Sequence, residues 1–278
     1  GFTTSTLQAS NGGTVNDSAF FSVADQASAT GTVTVTDSGS SVTAQDAAVG
    51  NHGGNGTLTI ANGGSVSVSN SFVIANDGGS VGTVNIGAAA GSAAVAAGTL
   101  NTGTVAFGNG TGTLVFNHTD TGYVFAPAIT GNGTVDVLSG TTLFTANNSY
   151  TGNTVINGGT LQLSGAGSVG SSNVTVNGGS FDISALGNGG ATIGDLAGTG
   201  GSVNLGGNAL TVVDVTVDPT HAIVSVDNSA DGAVYKGLAI GFNARGPMLF
   251  AANFRAGTVD VYDSHFALIR NSTMFKDP

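Results

Sequence analysis

Two aspartates hold the same place in a repeated five-residue pattern. Asp136 sits in Gly133-Thr134-Val135-Asp136-Val137 and Asp182 in Gly179-Ser180-Phe181-Asp182-Ile183. On one sheet face they would stand two rungs apart, roughly 10 Å at a strand spacing of about 4.8 Å. A glycosidase needs two carboxyl groups about 5–9.5 Å apart. The pair falls just beyond that range and reads as solvated or turn aspartate. A polysaccharide lyase needs Lys or Arg near a carboxylate-bound metal, or a cationic base. No Lys or Arg precedes Lys236; the other four cations are Arg245, Arg255, Arg270 and Lys276.

The remaining reactive types are scattered. His52, His118, His221 and His265 lack the spacing of a metal-binding pair, and each is expected in a loop or at the surface. Ser and Thr are too abundant for a Ser/His/Asp triad to stand out. Asn76-Asp77-Gly78-Gly79 and Gly194-Asp195 offer oxygen atoms of the kind calcium takes. The nine-residue Gly/Asp repeat of calcium-binding β-rolls is missing, however, and turn chemistry accounts for both. Thr32/Thr34 and Thr57/Thr59 start a Thr-x-Thr array of the ice-binding kind, which breaks at Thr83/Asn85, Thr113/Val115 and Thr134/Asp136. The expected catalytic, cofactor-binding and metal-binding sets are therefore empty, and no cofactor is implied.

The elements that carry these residues repeat. Gly, then Thr or Ser, apolar, any residue, apolar begins at Gly31, Gly56, Gly82, Gly112, Gly133, Gly159, Gly179 and Gly201. The alternation is that of a half-buried strand. Its inward pairs are Val33/Val35, Leu58/Ile60, Val84/Ile86, Leu114/Phe116, Val135/Val137, Leu161/Leu163, Phe181/Ile183 and Val203/Leu205. Between them lie Thr34, Thr59, Asn85, Val115, Asp136, Gln162, Asp182 and Asn204, all polar but one. Short strands such as 65–68 and 72–74 fill the intervals, separated by Asn/Asp/Gly turns. Two or three strands from one rung to the next predict one coil of a parallel β-helix, with eight to nine coils in all. A β-sandwich has no reason to repeat one signature in one register.

Composition agrees. The chain of 278 residues is 40% hydrophobic and only 8% charged, with 47 Gly, no Cys and a formal charge of −11. An ordinary domain is about a quarter charged. In-register stacking explains the deficit, because like charges would sit about 4.8 Å apart on neighbouring coils. A surface this poor in cations excludes nucleic acid and anionic membrane as partners. No apolar run approaches the roughly 20 residues of a membrane helix. The opening Gly1-Phe2-Thr3-Thr4 has no Met and reads as a processed or excised segment.

The segment Asn148-Ser149-Tyr150-Thr151-Gly152-Asn153-Thr154-Val155-Ile156-Asn157-Gly158-Gly159-Thr160-Leu161-Gln162-Leu163 closely resembles the passenger-associated transport repeat of bacterial autotransporters. The upstream rungs, including the stretch from Gly54 to Val68, are similar to the β-helical passengers of the same proteins. The resemblance covers roughly residues 10 to 214. It implies secretion across the outer membrane of a Gram-negative bacterium and an extracellular or cell-surface rod. A membrane barrel normally follows such a passenger. Here the text continues instead with 215–278, which resembles one or two blades of a secreted bacterial β-propeller family, through Val226–Ser229, Val234–Ala239 and Leu249–Asp263. Physically these residues read as antiparallel hairpins, with strands 248–253 and 258–262 joined around Ala256-Gly257.

The resulting expectation is an all-β chain: a parallel β-helix over 1–214 and a C-terminal antiparallel β-hairpin segment over 215–278, as a cap or a fragment. Its function is expected to be that of a non-enzymatic structural rod in adhesion, display or self-assembly. An extracellular filament subunit and a carbohydrate-active β-helix enzyme are the alternatives. Expected partners are a host or cell-surface receptor, a glycan, or a second copy end to end. Nucleic acid and membrane insertion by this segment are not expected.

Overall fold

Val, Leu and Ile alternating with Thr and Asn make strands with one dry face and one wet face. A strand this short cannot shield its dry face alone, so coils must stack to close a core. The computed structural model describes residues 4–213 and, beyond them, the backbone of five strands between 222 and 273. Every regular element among the described residues is a β-strand.

Nine strands form one all-parallel sheet in chain order: Thr4–Ala9, Thr30–Thr36, Asn55–Ala61, Val81–Gly87, Thr111–Asn117, Thr134–Ser139, Asn153–Ile156, Asn173–Val176 and Leu196–Ala197. Each pairs with its equivalent one coil away, which is the parallel β-helix the repeats predict. The glycines opening the first rungs stay in line, so Gly31, Gly56, Gly82 and Gly112 are consecutive partners. The corner before each rung is tight. A Cβ on Gly82 would meet the Ala75 amide nitrogen at 2.6 Å and the Val49 carbonyl oxygen closer still.

All sixteen predicted inward side chains are buried. The eight rungs do not share one face, however. Those opening at Gly31, Gly56, Gly82, Gly112 and Gly133 lie in the nine-stranded sheet. Those at Gly159, Gly179 and Gly201 lie in a separate sheet of five strands: Tyr123–Phe125, Thr141–Phe144, Thr160–Gly165, Ser180–Leu186 and Ser202–Asn204. The physical reason is that a period of two fits any sheet face equally well. After Val135 the nine-stranded sheet continues through Thr154 and Val174. Each of those coils is shorter than the ones that carry the sheet from Val33 to Leu58, Val84 and Leu114.

The first coils use a seven-stranded sheet as their second wall, built on Ser41–Val49 and Ser65–Ile74. Both of these strands bend, with register shifting between Ala44 and Asp46. The longest coil, from Val84 to Leu114, contains an Ala-rich excursion over 88–98, which bridges back through Ala97 to Ala61 and through Val95 to His118. Beneath it the second wall passes from one sheet to the other, and aromatic rings fill the step. Phe116 lies edge-on to Phe125 at 5.1 Å and to Phe144 at 5.7 Å.

At the far end, Gly190–Ile193 pairs parallel with Ala209–Val213, and Ala222–Ser225 then runs antiparallel along the latter. Tyr235–Asn243, Gly246–Asn253, Thr258–Tyr262 and Leu268–Thr273 form a four-stranded antiparallel sheet. It contains the expected hairpin, with Asn253 opposite Thr258. The turn at Ala256-Gly257 lies outside the described residues.

Candidate functional site

The two aspartates raised as a carboxylate pair belong to different sheets. Asp136 lies in the nine-stranded sheet between Val115 and Val155, and burial pushes its carboxyl above the usual carboxylate range. Asp182 lies in the five-stranded sheet beside Gln162 and Asn204. Its two oxygens accept from Gln162 Nε2 at 3.1 Å and from the Ser184 amide at 2.8 Å. The shared signature placed on one face what the fold places on two, so the two-rung spacing between the pair does not hold.

The histidines divide. His52 is exposed, as expected, and its Nδ1 lies 3.2 Å from Asp25 Oδ1. Burial works to raise the Asp25 pKa, but hydrogen bonds from Asn51, His52 and Ser22 outweigh it and bring the carboxyl below its ordinary range. Asp77 Oδ2 accepts from the His52 amide at 3.0 Å, and Asn76 Nδ2 donates to Asn51 Oδ1 at 2.9 Å. The Asn76–Gly79 turn is thus tied to the coil below it. Asp195 Oδ1 accepts from the Leu196 amide at 2.8 Å. Among the described residues no three His, Cys, Asp or Glu side chains are grouped to hold a metal ion. His221 and His265 lie outside the described residues.

His118 follows the strand Thr111–Asn117, outside the strands as expected, but is fully buried rather than at the surface. Its Nε2 lies 2.8 Å from Thr142 Oγ1, its Nδ1 has no hydrogen-bond partner among the described residues, and Gly140 packs against the ring. Burial lowers its pKa, partly opposed by Asp120. The sequence signal, visible only afterwards, is that His118 directly follows the dry Phe116 and the buried Asn117 at the head of a coil.

The sixteen-residue motif forms the walls of one coil. Asn148 Oδ1 accepts from the Ile129 amide at 2.7 Å and its amide donates to the Ser168 carbonyl at 2.6 Å, so this side chain joins three coils. Tyr150 is fully buried, with its hydroxyl 2.6 Å from Thr154 Oγ1, which is in turn 2.7 Å from Ser172 Oγ. That chain of hydroxyls offsets the cost of burying Thr154 at an inward position.

Outward polar side chains likewise bond between coils: Thr43 to Asn16 at 2.6 Å, Asn62 to Thr36 at 3.1 Å and Asn177 to Asn157 at 2.9 Å, while Asn85, expected outward but buried, donates to Thr59 at 3.1 Å. Where the second wall bends, these rows part into an open groove of about 450 Å³, lined by Asp17, Thr43, Gln45, Ser67, Ser69 and Asn101. The groove crosses four coils, holds one carboxylate, and sets amides and hydroxyls beside the apolar Ala44 and Val68. Phe20, 46% exposed, stands just beyond Asp17 in the chain and opposite Asp46. Such a surface can hydrogen-bond a neutral, hydroxyl-rich molecule and pack its apolar faces against Ala44 and Val68. The Thr-x-Thr rows pair as expected, with Thr34 beside Thr59, and then give way to Asn85, Val115 and Asp136. Comparison with models of protein families, with curated proteins and with solved structures gives no match.

Proposed function

We propose that this chain is a secreted, non-enzymatic β-helical rod at a bacterial surface, of the autotransporter-passenger kind, serving adhesion or display. The observation that carries the reading is the use made of the outward polar groups. They bond to side chains on adjacent coils, rather than converging as nucleophile, base and oxyanion donor around one reacting atom. A continuous dry core and a low-charge surface suit a stiff exposed spacer. The bend groove is the surface best suited to a ligand, and its chemistry favours a neutral glycan over an anionic one.

A panel of neutral and acidic glycans tests this. Neutral glycans are expected to bind and to be recovered intact, and filling the groove with Ser69→Trp is expected to abolish binding without lowering the melting temperature. Recovery of cleaved glycan would overturn the non-enzymatic reading. Binding that survives Ser69→Trp would remove the groove from it.

A further inference from the structure

Residues 4–213 contain eight Asn-Gly pairs, beginning at Asn11, Asn55, Asn62, Asn109, Asn132, Asn157, Asn177 and Asn188. Each is a potential site of self-modification, because glycine has no Cβ to shield its amide from the preceding side chain. The glycine nitrogen gives its proton to solvent and attacks asparagine Cγ. A C–N bond forms, ammonia leaves, and a five-membered succinimide results. Water then opens one of its two C–N bonds, giving aspartate or isoaspartate. The net change is one water consumed and one ammonia released, with no oxidation or reduction.

An amide that is already donating inside the fold must first break that bond to react. Six of the eight are so held. Gly12 donates to Ser40 Oγ at 3.0 Å, Gly63 to Ala97 O at 3.0 Å and Gly110 to Ala75 O at 2.9 Å. Gly158 and Gly178 donate to Val137 O and Ile156 O at 3.3 and 3.4 Å. Gly56 lies within a strand paired on both sides. The amides of Gly133 and Gly189 have no such acceptor among the described residues.

Both preceding asparagines are exposed. Asn132 and Gly133 also line an open cleft of about 300 Å³ with Thr111, Thr134, Thr151 and Asn153, which admits the water the reaction needs. Asn188 Oδ1 accepts from the Gly190 amide at 3.4 Å, folding its side chain back over the intervening Gly189 nitrogen. We infer that Asn132 and Asn188 are the sites at which this rod modifies itself, adding a negative charge at two coil corners while the other six Asn-Gly pairs are protected by the stack.

Ageing the folded protein in mildly alkaline buffer made with ¹⁸O-water, followed by peptide mapping, tests the inference. Chymotrypsin is the suitable protease, since no trypsin site precedes Lys236. Asn132 and Asn188 are expected to convert at least about tenfold faster than Asn62 and Asn109, as follows if opening a protecting hydrogen bond costs about 1.4 kcal/mol. In denaturant the eight rates should converge. The double variant Asn132→Gln, Asn188→Gln should lose the early acidic shift on isoelectric focusing and keep its melting temperature. Equal rates at all eight sites in the folded protein, or faster conversion at Asn62 or Asn109, would overturn the inference.

Discussion

Gly152 is where the stacking is tightest within the sixteen-residue motif, and adding one methyl there probes the coil spacing directly. A Cβ on Gly152 would fall against the Gly133 carbonyl oxygen, with the Gly133 carbonyl carbon at 2.7 Å and nitrogen at 2.8 Å. All three are backbone atoms, so no side-chain rotation relieves the clash. Restoring an ordinary contact of 3.4 Å or more means prising two coils apart locally and stretching the ladder between them. Overpacking of this sort costs about 1–3 kcal/mol, and a backbone obstacle places Gly152→Ala at the upper end. At about 2–4 °C per kcal/mol for a cooperative unit of this size, the melting temperature should fall by about 6–12 °C. Gly122 is the control, since a Cβ there meets nothing within 4 Å and its φ is not positive. Gly122→Ala should be neutral or raise stability by about 0.4–1 kcal/mol through the unfolded chain. Calorimetric melts of the two variants decide the matter. Equal melting temperatures would mean that coil contact at Gly152 is not what fixes the glycine.

Two further outcomes are expected. Ile60→Asp, at a fully buried position, should unfold adjacent coils, whereas Thr59→Asp, at a half-buried position where a carboxylate can still accept from Asn85, should cost much less; equal effects would refute the rung register. Burial holds the His118 pKa below its ordinary 6.5, so the native state binds fewer protons than the unfolded chain. Its contribution to stability is therefore fully present above 6.5 and is lost as pH falls below that value toward the lowered native pKa. Urea titrations across that window should show this slope, and His118→Gln should flatten it; an unchanged slope in the variant would sink the assignment.

The strand register was legible because each apolar pair, such as Leu58/Ile60 or Phe181/Ile183, is fixed by local alternation alone. Which wall a rung joins was not. Val137 and Leu161 carry the same pattern. Only the shortening of the coil, from the Leu58-to-Val84 step to the Val135-to-Thr154 step, sends Leu161 to the five-stranded sheet. The two-rung spacing read between Asp136 and Asp182 did not hold for that reason. His118 was misplaced because a lone imidazole has no periodic signal, and its burial depends on Gly140, Thr142 and the excursion over 88–98, all distant in sequence. The bend groove was equally invisible, since Thr43, Ser67 and Asn101 are ordinary wet-face residues until the wall turns beneath them.

The pairing of each strand with its equivalent one coil away also sets how this chain acquires its structure. Ladder partners such as Val33 and Leu58, Val84 and Leu114, or Val135 and Thr154 are close along a chain of 278 residues. Their separation is about a tenth of the chain, a relative contact order nearer to helical bundles than to β-sandwiches. No step in building the coil stack requires its two ends to meet. The loop-closure entropy of each new coil is a small, repeated term rather than one large one. Once two or three coils are in place, the next can add to a ready-made edge, so the stack can grow in the order in which its residues become available, from either end.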